Sequence, residues 1–357
     1  MSIQKNKIIH VNNEHIFGAT TLKNIALPEK NNTALHVCID PEAVMINRKR
    51  LAEELNMPLD NWALPWQKHT NNMAHVTSSD KGKGAYDKNT SIMNVDAVYT
   101  TEPNILIGVF TADCLGILVI DETTPCICAI HSGWKGTTLE ITKKCLSELI
   151  EKDLIHPKSC HVYFSPSIQF DSLEVGMEVV EQMKQISIDT TPFIRYMPNE
   201  KAYIDNQGIN IEMCKELGVP AQNIHPSVYD TKKELDTCFS YRNDKQTGEH
   251  FTFGYIKTAF KKRGFLCGYK PLLPARVSRR CFHFVQAIAF DSRQPSKGFV
   301  FYYFFLLAFS CLYACCSASE NGFAYSFTLI LSIAISCISC SRIYFATVVS
   351  FNPIVLT

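Results

Sequence analysis

Two histidines and one cysteine stand in segments whose residue types could hold a metal ion or perform nucleophilic chemistry. His69 ends WQKH, Cys114 ends TADC, and His131 opens HSGWKG. A catalytic zinc ion commonly takes three protein ligands of this kind and leaves its fourth position to water. A cysteine nucleophile with a histidine base uses the same two residue types. The residues alone leave both interpretations open.

The segments around these residues predict an α/β fold. Continuous apolar runs rich in β-branched residues are typical of strands buried on both faces, and helical periodicity marks the helices that cover them. The predicted strands are 96–100, 105–110, 115–120, 126–130 and 162–164, and the predicted helices are 41–57, 137–152, 174–188 and 206–217. Cys114 and His131 then lie at strand ends, where the strand fixes a side chain and the loop gives access to it.

Composition bounds the classes of function. The chain has 357 residues, and 35 Lys and Arg balance 34 Asp and Glu, which excludes a strongly basic nucleic-acid binder. Hydrophobic residues make up 46%, too many for global disorder. The first fifteen residues carry no apolar signal segment, so we expect a cytoplasmic protein with reduced cysteines. Cys126 and Cys128 lie in an apolar run and are expected to be buried strand thiols.

The composition changes after residue 262. Thirteen of the 22 phenylalanines follow that residue, and residues 298–357 contain only two charged side chains, Glu320 and Arg342. The preceding part has the composition of an ordinary globular domain, whereas the end of the chain has that of a membrane protein. We therefore predict one catalytic domain over 1–262 and an unrelated apolar tail over 263–357.

Two interpretations of the tail are open. The uncharged stretches 298–319 and 321–341 are each long enough to span a bilayer as a helix, so they could form a two-helix hairpin. Such a hairpin would anchor the protein to a membrane through residues 298–341. Heavy use of Ser, Cys and Phe with poor helical periodicity is also what translation of a shifted reading frame would produce.

The segment TADCLGILVIDETTPCICAIHSGWKGTTLEIT resembles the signature of the YfiH/YlmD-type family, formerly called laccase-domain or polyphenol oxidase proteins. The family pattern is TADCLP, an apolar run and AHAGWRG, with Q-x-H upstream. Gln67, His69, Cys114 and His131 fall in register with it, with spacings of 45 and 17 residues between the three candidate ligands. Further segments resemble the family in the same order, at 35–55, 96–100, 166–176 and 238–248. The resemblance covers about residues 10–258.

This resemblance implies a fold, a metal centre and an activity. The fold would be an α/β sandwich of two mixed β-sheets with outer helices. His69, Cys114 and His131 would be the metal ligands and catalytic residues, with zinc the favoured ion and copper the alternative. The substrates would be purine nucleosides and phosphate: phosphorolysis of adenosine, inosine, guanosine and methylthioadenosine, together with adenosine deamination.

Other residues of the matching segments are candidates for substrate contacts. Lys135, at a helix expected to start at Gly136, and Arg242 could bind phosphate, because backbone N–H groups and cationic side chains favour anions. Gln67 could bind a nucleoside edge or pair with the backbone. Asp113 could be catalytic, as a proton acceptor or by orienting a ligand, or it could cap a local turn.

The sequence also departs from the family pattern. Lys135 replaces the arginine of GWRG, and Glu249 replaces the arginine of TGR. The segment ATTLKN (19–24) lacks the arginine and the glycine pair of the pattern. These changes motivate a catalytically silent nucleoside-binding module as one alternative. The others are a copper-dependent polyphenol oxidase and a hydrolase that uses Cys114 with a histidine base. The oligomeric state is not predictable from the sequence.

Overall fold

The computed structural model describes residues 2–4 and 6–258. The predicted tail over 263–357 lies outside the described residues, as do both stretches that could form a membrane hairpin. Within the described part of the chain, every helix is too short or too polar to cross a bilayer.

The strands and helices follow one another with short connections. The strands are β1 (Ser2–Gln4), β2 (Lys7–Asn12), β3 (Ile16–Thr21), β4 (Trp62–Ala63), β5 (Pro65–Trp66), β6 (Met73–His75), β7 (Ile92–Met93), β8 (Ala97–Thr100), β9 (Leu106–Thr111), β10 (Leu115–Asp121), β11 (Cys126–Ser132), β12 (His161–Phe164), β13 (Glu174–Gly176), β14 (Ile194–Met197), β15 (Lys201–Ile204), β16 (Ile224–His225) and β17 (His250–Ile256). The helices are α1 (Pro41–Leu55), α2 (Trp134–Thr138), α3 (Ile141–Glu151), α4 (Met177–Met183) and α5 (Asn206–Glu216).

Two six-stranded mixed sheets form the body of the fold, which confirms the predicted sandwich. One has the strand order β1-β2-β3-β17-β9-β4 and the other β16-β12-β10-β11-β8-β6. Most neighbours are antiparallel, whereas β4–β9, β6–β8 and β12–β16 are parallel. A three-stranded sheet, β13-β15-β14, packs with α4 and α5 as a smaller lobe.

The continuous apolar runs are buried on both faces, as predicted. Along β10, Leu118 and Ile120 belong to the core between the two sheets, whereas Ile117 and Val119 pack towards α3. Successive side chains of a strand point to opposite faces, so an uninterrupted apolar run is needed when both faces are covered. On the first sheet, Phe110 points towards a third core that includes residues of α1.

Helix α1 agrees with the predicted helix over 41–57, and α5 agrees with the predicted helix over 206–217. Asp40 caps the N-terminus of α1 by accepting hydrogen bonds from the backbone N–H groups of Glu42 and Ala43. Asn56 ends this helix in a left-handed conformation, a common way to stop a helix.

The prediction of one helix over 137–152 was wrong. The segment contains the end of α2 and all of α3, separated at Leu139 and at Glu140, whose φ of 51° is left-handed. Asn210 of α5 forms hydrogen bonds with the hydroxyl groups of Thr137 and Thr142, on either side of the break. These buried contacts hold both short helices against α5.

The prediction of a helix over 174–188 was wrong at both ends. Glu174, Val175 and Gly176 form strand β13 because they pair with Tyr203, Ala202 and Lys201 of β15. Helix α4 begins only after Gly176 and ends at Met183. The pairing with β15 is a long-range contact that local helical periodicity does not reveal.

Candidate metal centre

His69, Cys114 and His131 come together at the open end of the β10–β11 hairpin. One ligand atom of each side chain lies within 4.8 Å of those of the other two. Cys114 immediately precedes β10, and His131 lies opposite Gly116 near the end of β11. His69 arrives from the loop between β5 and β6. The structure therefore brings together three segments that are far apart in the sequence.

The three side chains differ in their exposure. His131 is buried, with 4% of its surface exposed, whereas Cys114 is partly exposed and His69 is exposed. The imidazole rings of His69 and His131 meet edge to face, with their centroids 4.8 Å apart. The cluster is thus held by the sheet on one side and is accessible from the side of His69.

Asp96 belongs to the candidate site and was missed by the sequence analysis. It directly precedes β8 and is fully buried. Its Oδ1 atom lies 2.8 Å from Nδ1 of His131 and accepts a hydrogen bond from the backbone N–H of His69 at 2.9 Å. An ionised carboxylate only accepts hydrogen bonds, so Nδ1 of His131 carries a proton and Nε2 is left for a metal ion.

The other oxygen of Asp96 also accepts several hydrogen bonds. Oδ2 accepts hydrogen bonds from the backbone N–H groups of Lys68 and Thr70 and from the Thr70 hydroxyl, at 3.1, 2.7 and 2.8 Å. Burial disfavours the charge of Asp96, but the hydrogen bonds from His131 and Thr70 outweigh burial and lower its pKa to about 2. Asp96 is therefore a buried anion with five donors.

The electrostatics favour a thiolate beside an imidazolium. Burial raises the pKa of the Cys114 thiol, but hydrogen bonds with His131 and His69 outweigh burial and lower the pKa to about 7. Burial likewise lowers the pKa of His131, whereas Asp96 and Cys114 raise it to about 10. A proton on Nε2 of His131 and a metal cation would occupy the same position, so a site that attracts the first also attracts the second.

Gly133 leaves the space that Cys114 needs. A Cβ atom built on Gly133 would lie 2.6 Å from Cys114 Sγ and 3.4 Å from Cδ2 of His69. A real side chain at this position would displace the sulfur or the loop. His69 and Asp113 have left-handed φ angles of 57° and 83°, which are unusual for residues other than glycine and occur more often at functional sites.

The donor set fits a transition metal ion. Thiolate and imidazole are preferred by zinc and copper, whereas magnesium and calcium prefer oxygen ligands. The proton of His131 on Nδ1, its carboxylate partner and the cavity left by Gly133 all agree with a metal at Nε2 and Sγ. Across residues 6–258, this is the one cluster of three or more potential His, Cys, Asp or Glu ligands.

Asp113 and Arg242 connect the cluster to a distant loop. The carboxylate of Asp113 accepts hydrogen bonds from the Thr231 hydroxyl and from the backbone N–H of Arg242, both at 2.6 Å. The guanidinium of Arg242 donates to the carbonyl of Glu174 at 3.0 Å and is otherwise exposed. Asp113 thus holds the segment of Arg242 beside Cys114.

Gln67 pairs with the backbone, one of the two roles expected for it. Its Nε2 donates to the carbonyl of Phe110 at 2.8 Å, and its Oε1 accepts from the Phe110 N–H at 2.7 Å. The side-chain amide thus forms with β9 the two hydrogen bonds that a paired strand residue would form. This double contact fixes the loop two residues before His69.

The predicted helix start at Gly136 was wrong, because α2 begins at Trp134 after Gly133. Lys135 is therefore the second residue of α2 and is exposed, with Nζ 5.5 Å from the centre of the Trp134 ring. Trp134 is partly buried against the core of the smaller lobe. Lys135 follows His131 by four residues along the chain.

A buried polar network supports the start of α2. The Ser132 hydroxyl forms hydrogen bonds with the Thr137 hydroxyl at 2.9 Å and with Asn210 at 3.1 Å. Asn206 donates to the carbonyl of Ser132 at 3.1 Å. The network holds the strand end that carries His131, and neither asparagine had a recognisable signal in the sequence.

Comparison with known proteins identifies the family. The family profile described as multi-copper polyphenol oxidoreductase laccase matches residues 24–257. The chain belongs to this family. Cys114, His131, Asp96 and the loop of His69 all lie within the part of the chain that matches.

The chain is also similar to named relatives and to solved structures over most of their length. The chain is 27% identical to purine nucleoside phosphorylase YlmD of Bacillus subtilis over 253 residues, 70% of this chain and 91% of the relative. It is 31% identical to purine nucleoside phosphorylase SA1030 of Staphylococcus aureus over 223 residues, which are 62% and 83% of the two chains. The crystal structure of YlmD from Geobacillus stearothermophilus is 29% identical, with a TM-score of 0.65 and coverage of 68% and 92%. That of YfiH from Bacillus licheniformis is 25% identical, with a TM-score of 0.65 and coverage of 68% and 93%.

Proposed function

We propose that this protein is a zinc-dependent purine nucleoside phosphorylase that also deaminates adenosine. The proposal is carried by the cluster of His69, Cys114 and His131, whose ligand atoms lie within 4.8 Å of one another in an accessible position. The relatives that are 27% and 31% identical are purine nucleoside phosphorylases, which supports a nucleoside substrate. Adenosine, inosine, guanosine and methylthioadenosine are the proposed nucleosides, with phosphate as the second substrate.

The proposed roles follow from the contacts of each residue. His69, Cys114 and His131 would hold the ion, and Asp96 holds the Nδ1 proton of His131, so that Nε2 would exchange its own proton for the ion. A zinc ion bound there would supply Lewis acidity and activate water near neutral pH. The exposed side of His69 is where a nucleoside would enter.

Phosphate would bind to positive charge at the rim. Lys135 is exposed beside the segment of His131, and Arg242 is tied through its backbone to Asp113, next to Cys114. Among the described residues neither cation is paired with a carboxylate: Arg242 donates to the carbonyl of Glu174, and Nζ of Lys135 lies at the Trp134 ring. Lysine attracts phosphate as a point charge, whereas arginine offers paired donors, so Arg242 is expected to orient the anion more strongly.

The test is turnover by the purified full-length chain with measured metal content. Inosine with phosphate should give hypoxanthine and ribose 1-phosphate, and adenosine without phosphate should give inosine. One zinc ion per chain should accompany activity, and chelation should remove both. Zinc binding without turnover of any purine nucleoside would contradict the proposal and favour the silent binding module.

One alternative is favoured by a specific observation. The pKa of Cys114 is lowered to about 7 by two neighbouring imidazoles, which also suits a cysteine nucleophile. A hydrolase of this kind would keep its activity after chelation and lose it on alkylation of Cys114. Copper-dependent phenol oxidation is less well supported, because multicopper oxidases need linked metal sites and the described residues contain one candidate cluster.

A further inference from the structure

The three candidate ligands are supported in different ways. Cys114 and His131 are attached to β10 and β11, which pair along their whole length from Leu115 opposite Ser132 to Asp121 opposite Cys126. His69 lies in an exposed loop and has a left-handed backbone conformation. The geometry of the cluster therefore depends on what holds this loop.

The loop is attached mainly to Asp96. Three consecutive backbone N–H groups, those of Lys68, His69 and Thr70, donate to its carboxylate, and the Thr70 hydroxyl adds a fourth bond. The same carboxylate accepts the Nδ1 proton of His131. Two ligands from segments 62 residues apart are thus held by one buried side chain.

We propose that Asp96 is a positioning residue that couples the two histidines, so that the loop of His69 and the ring of His131 reach their metal-binding arrangement together. The proposal rests on the proposed metal site but not on the identity of the nucleoside. The contacts form two arms: the His131 arm is the bond from Oδ1 to Nδ1, which selects the tautomer of the ring, and the loop arm holds residues 68–70 through both oxygens. Cys114 has no hydrogen bond to Asp96 among those of the described residues, and it contacts the carboxylate only through the two histidines.

Replacing Asp96 with asparagine should break the contacts of one oxygen and weaken those of the other, because the charge is lost. An amide has one acceptor oxygen and one NH₂ group, and the NH₂ group would face an N–H donor of either the loop or His131. Mutation of such a partner of a metal-ligating histidine typically costs 10–100-fold in metal affinity. We expect Asp96→Asn to lower zinc affinity by about 10–100-fold.

Asp121 provides a matched control. It is also fully buried in the second sheet, and it accepts hydrogen bonds from Thr123, His156 and Ser159 at the other end of the β10–β11 hairpin. Asp121→Asn removes a buried carboxylate of similar environment without touching the cluster. Its zinc affinity should stay that of the wild-type chain.

The experiment measures zinc affinity of the full-length chains by competition with a chromophoric chelator, and records the thiolate-to-metal charge-transfer band after substitution with cobalt. Asp96→Asn should bind more weakly and show an altered band, whereas Asp121→Asn should match the wild type. Equal affinities of Asp96→Asn and wild type, or equal losses in both variants, would overturn the proposal. A wild-type chain that binds no zinc would overturn both this proposal and the proposed function.

A double-mutant cycle separates the two arms. In a Thr70→Val background the loop has already lost one contact with Asp96 and keeps its ligand, so Asp96→Asn should have a smaller effect than in the wild type. Equal effects in both backgrounds would show that the loop arm is irrelevant and would overturn the coupling. If Asp96→Asn does not fold, Thr70→Val decides, because it removes one loop contact and keeps the carboxylate: a lower zinc affinity supports the coupling, and an unchanged affinity contradicts it.

Discussion

The two ends of the β10–β11 hairpin carry the same three residue types in different arrangements. The open end has Cys114, His131 and the buried Asp96, and the closed end has Cys126, His156 and the buried Asp121. At the open end the aspartate bonds an imidazole nitrogen at 2.8 Å. At the closed end it accepts mainly from backbone and hydroxyl groups, and Nδ1 of His156 is 3.6 Å away.

The pKa values of the two cysteines differ because of these arrangements. Burial, and then the charge of Asp121, raise the pKa of Cys126 to about 12, whereas two imidazoles lower that of Cys114 to about 7. The same residue types therefore give an inert turn at one end and a candidate metal centre at the other. The two ends differ because the side chains at the open end converge on one position, not because their residue types differ.

The largest difference between the two ends should appear in zinc binding and activity when the histidine of each end is replaced. His131→Ala should abolish zinc binding and both activities, because it removes a ligand held by Asp96. His156→Ala should leave both unchanged, since this half-exposed side chain lies far from the cluster. Zinc per chain and inosine phosphorolysis are the measurements. Phosphorolysis that survives in His131→Ala would show that the metal does not serve that reaction.

A second test compares the cysteines directly. After removal of the metal, iodoacetamide should modify Cys114 well before Cys126, because only the first is accessible and has a lowered pKa. Peptide mapping by mass spectrometry after short reaction times gives the order, and prior loading with zinc should protect Cys114. Equal rates at both positions would contradict the difference between the ends.

A third test concerns the space around Cys114. Gly133→Ala should weaken zinc binding by about 10-fold or more, comparable to the loss of a partner of a ligand, because the new Cβ would lie 2.6 Å from Sγ. Gly136→Ala is the control: its nearest contact would be 3.3 Å, and alanine favours the helix. Zinc affinity that is unchanged in Gly133→Ala would show that the sulfur has room to move.

The smallest effect should be a loss of stability at the closed end. Asp121→Asn is expected to lower the free energy of unfolding by about 1–3 kcal/mol at pH 7, since buried donors lose a charged acceptor. Burial opposes the ionisation of Asp121, but its hydrogen bonds outweigh burial and lower its pKa. The contribution is therefore present above the ordinary pKa of 3.8 and is lost as the pH falls below it. Denaturant titrations should show the difference from wild type shrinking at low pH; a difference that grew there would contradict this.

The grouping of the three candidate ligands could be predicted because they stand in recognisable segments, two of them at strand ends. Cys114 and His131 flank the apolar runs of β10 and β11, and these runs predicted buried strands. Asp96 was noticed only as the start of a strand. Its role depends on contacts with residues 26–35 positions away, and no local pattern carries that information.

The errors in the predicted elements also arise from contacts that no local pattern reveals. Helical periodicity suggested one helix over 137–152, but the left-handed backbone of Glu140 separates α2 from α3. The strand over 174–176 was missed because its partner, β15, follows some 25 residues later. Local patterns thus predicted which residues are buried better than they predicted where an element begins.

The separation of the ligands along the chain also has a consequence for the order of assembly. His69, Asp96, Cys114 and His131 belong to four segments that meet only when β8 and β11 are paired and the loop has docked. Such long-range pairings are slow steps of folding, since the intervening chain must first be closed into loops. A nascent or partly folded chain would present these side chains one at a time and would hold metal only weakly. Metal capture is therefore expected to be a late event, and zinc retention can serve as a readout of completed sheet assembly.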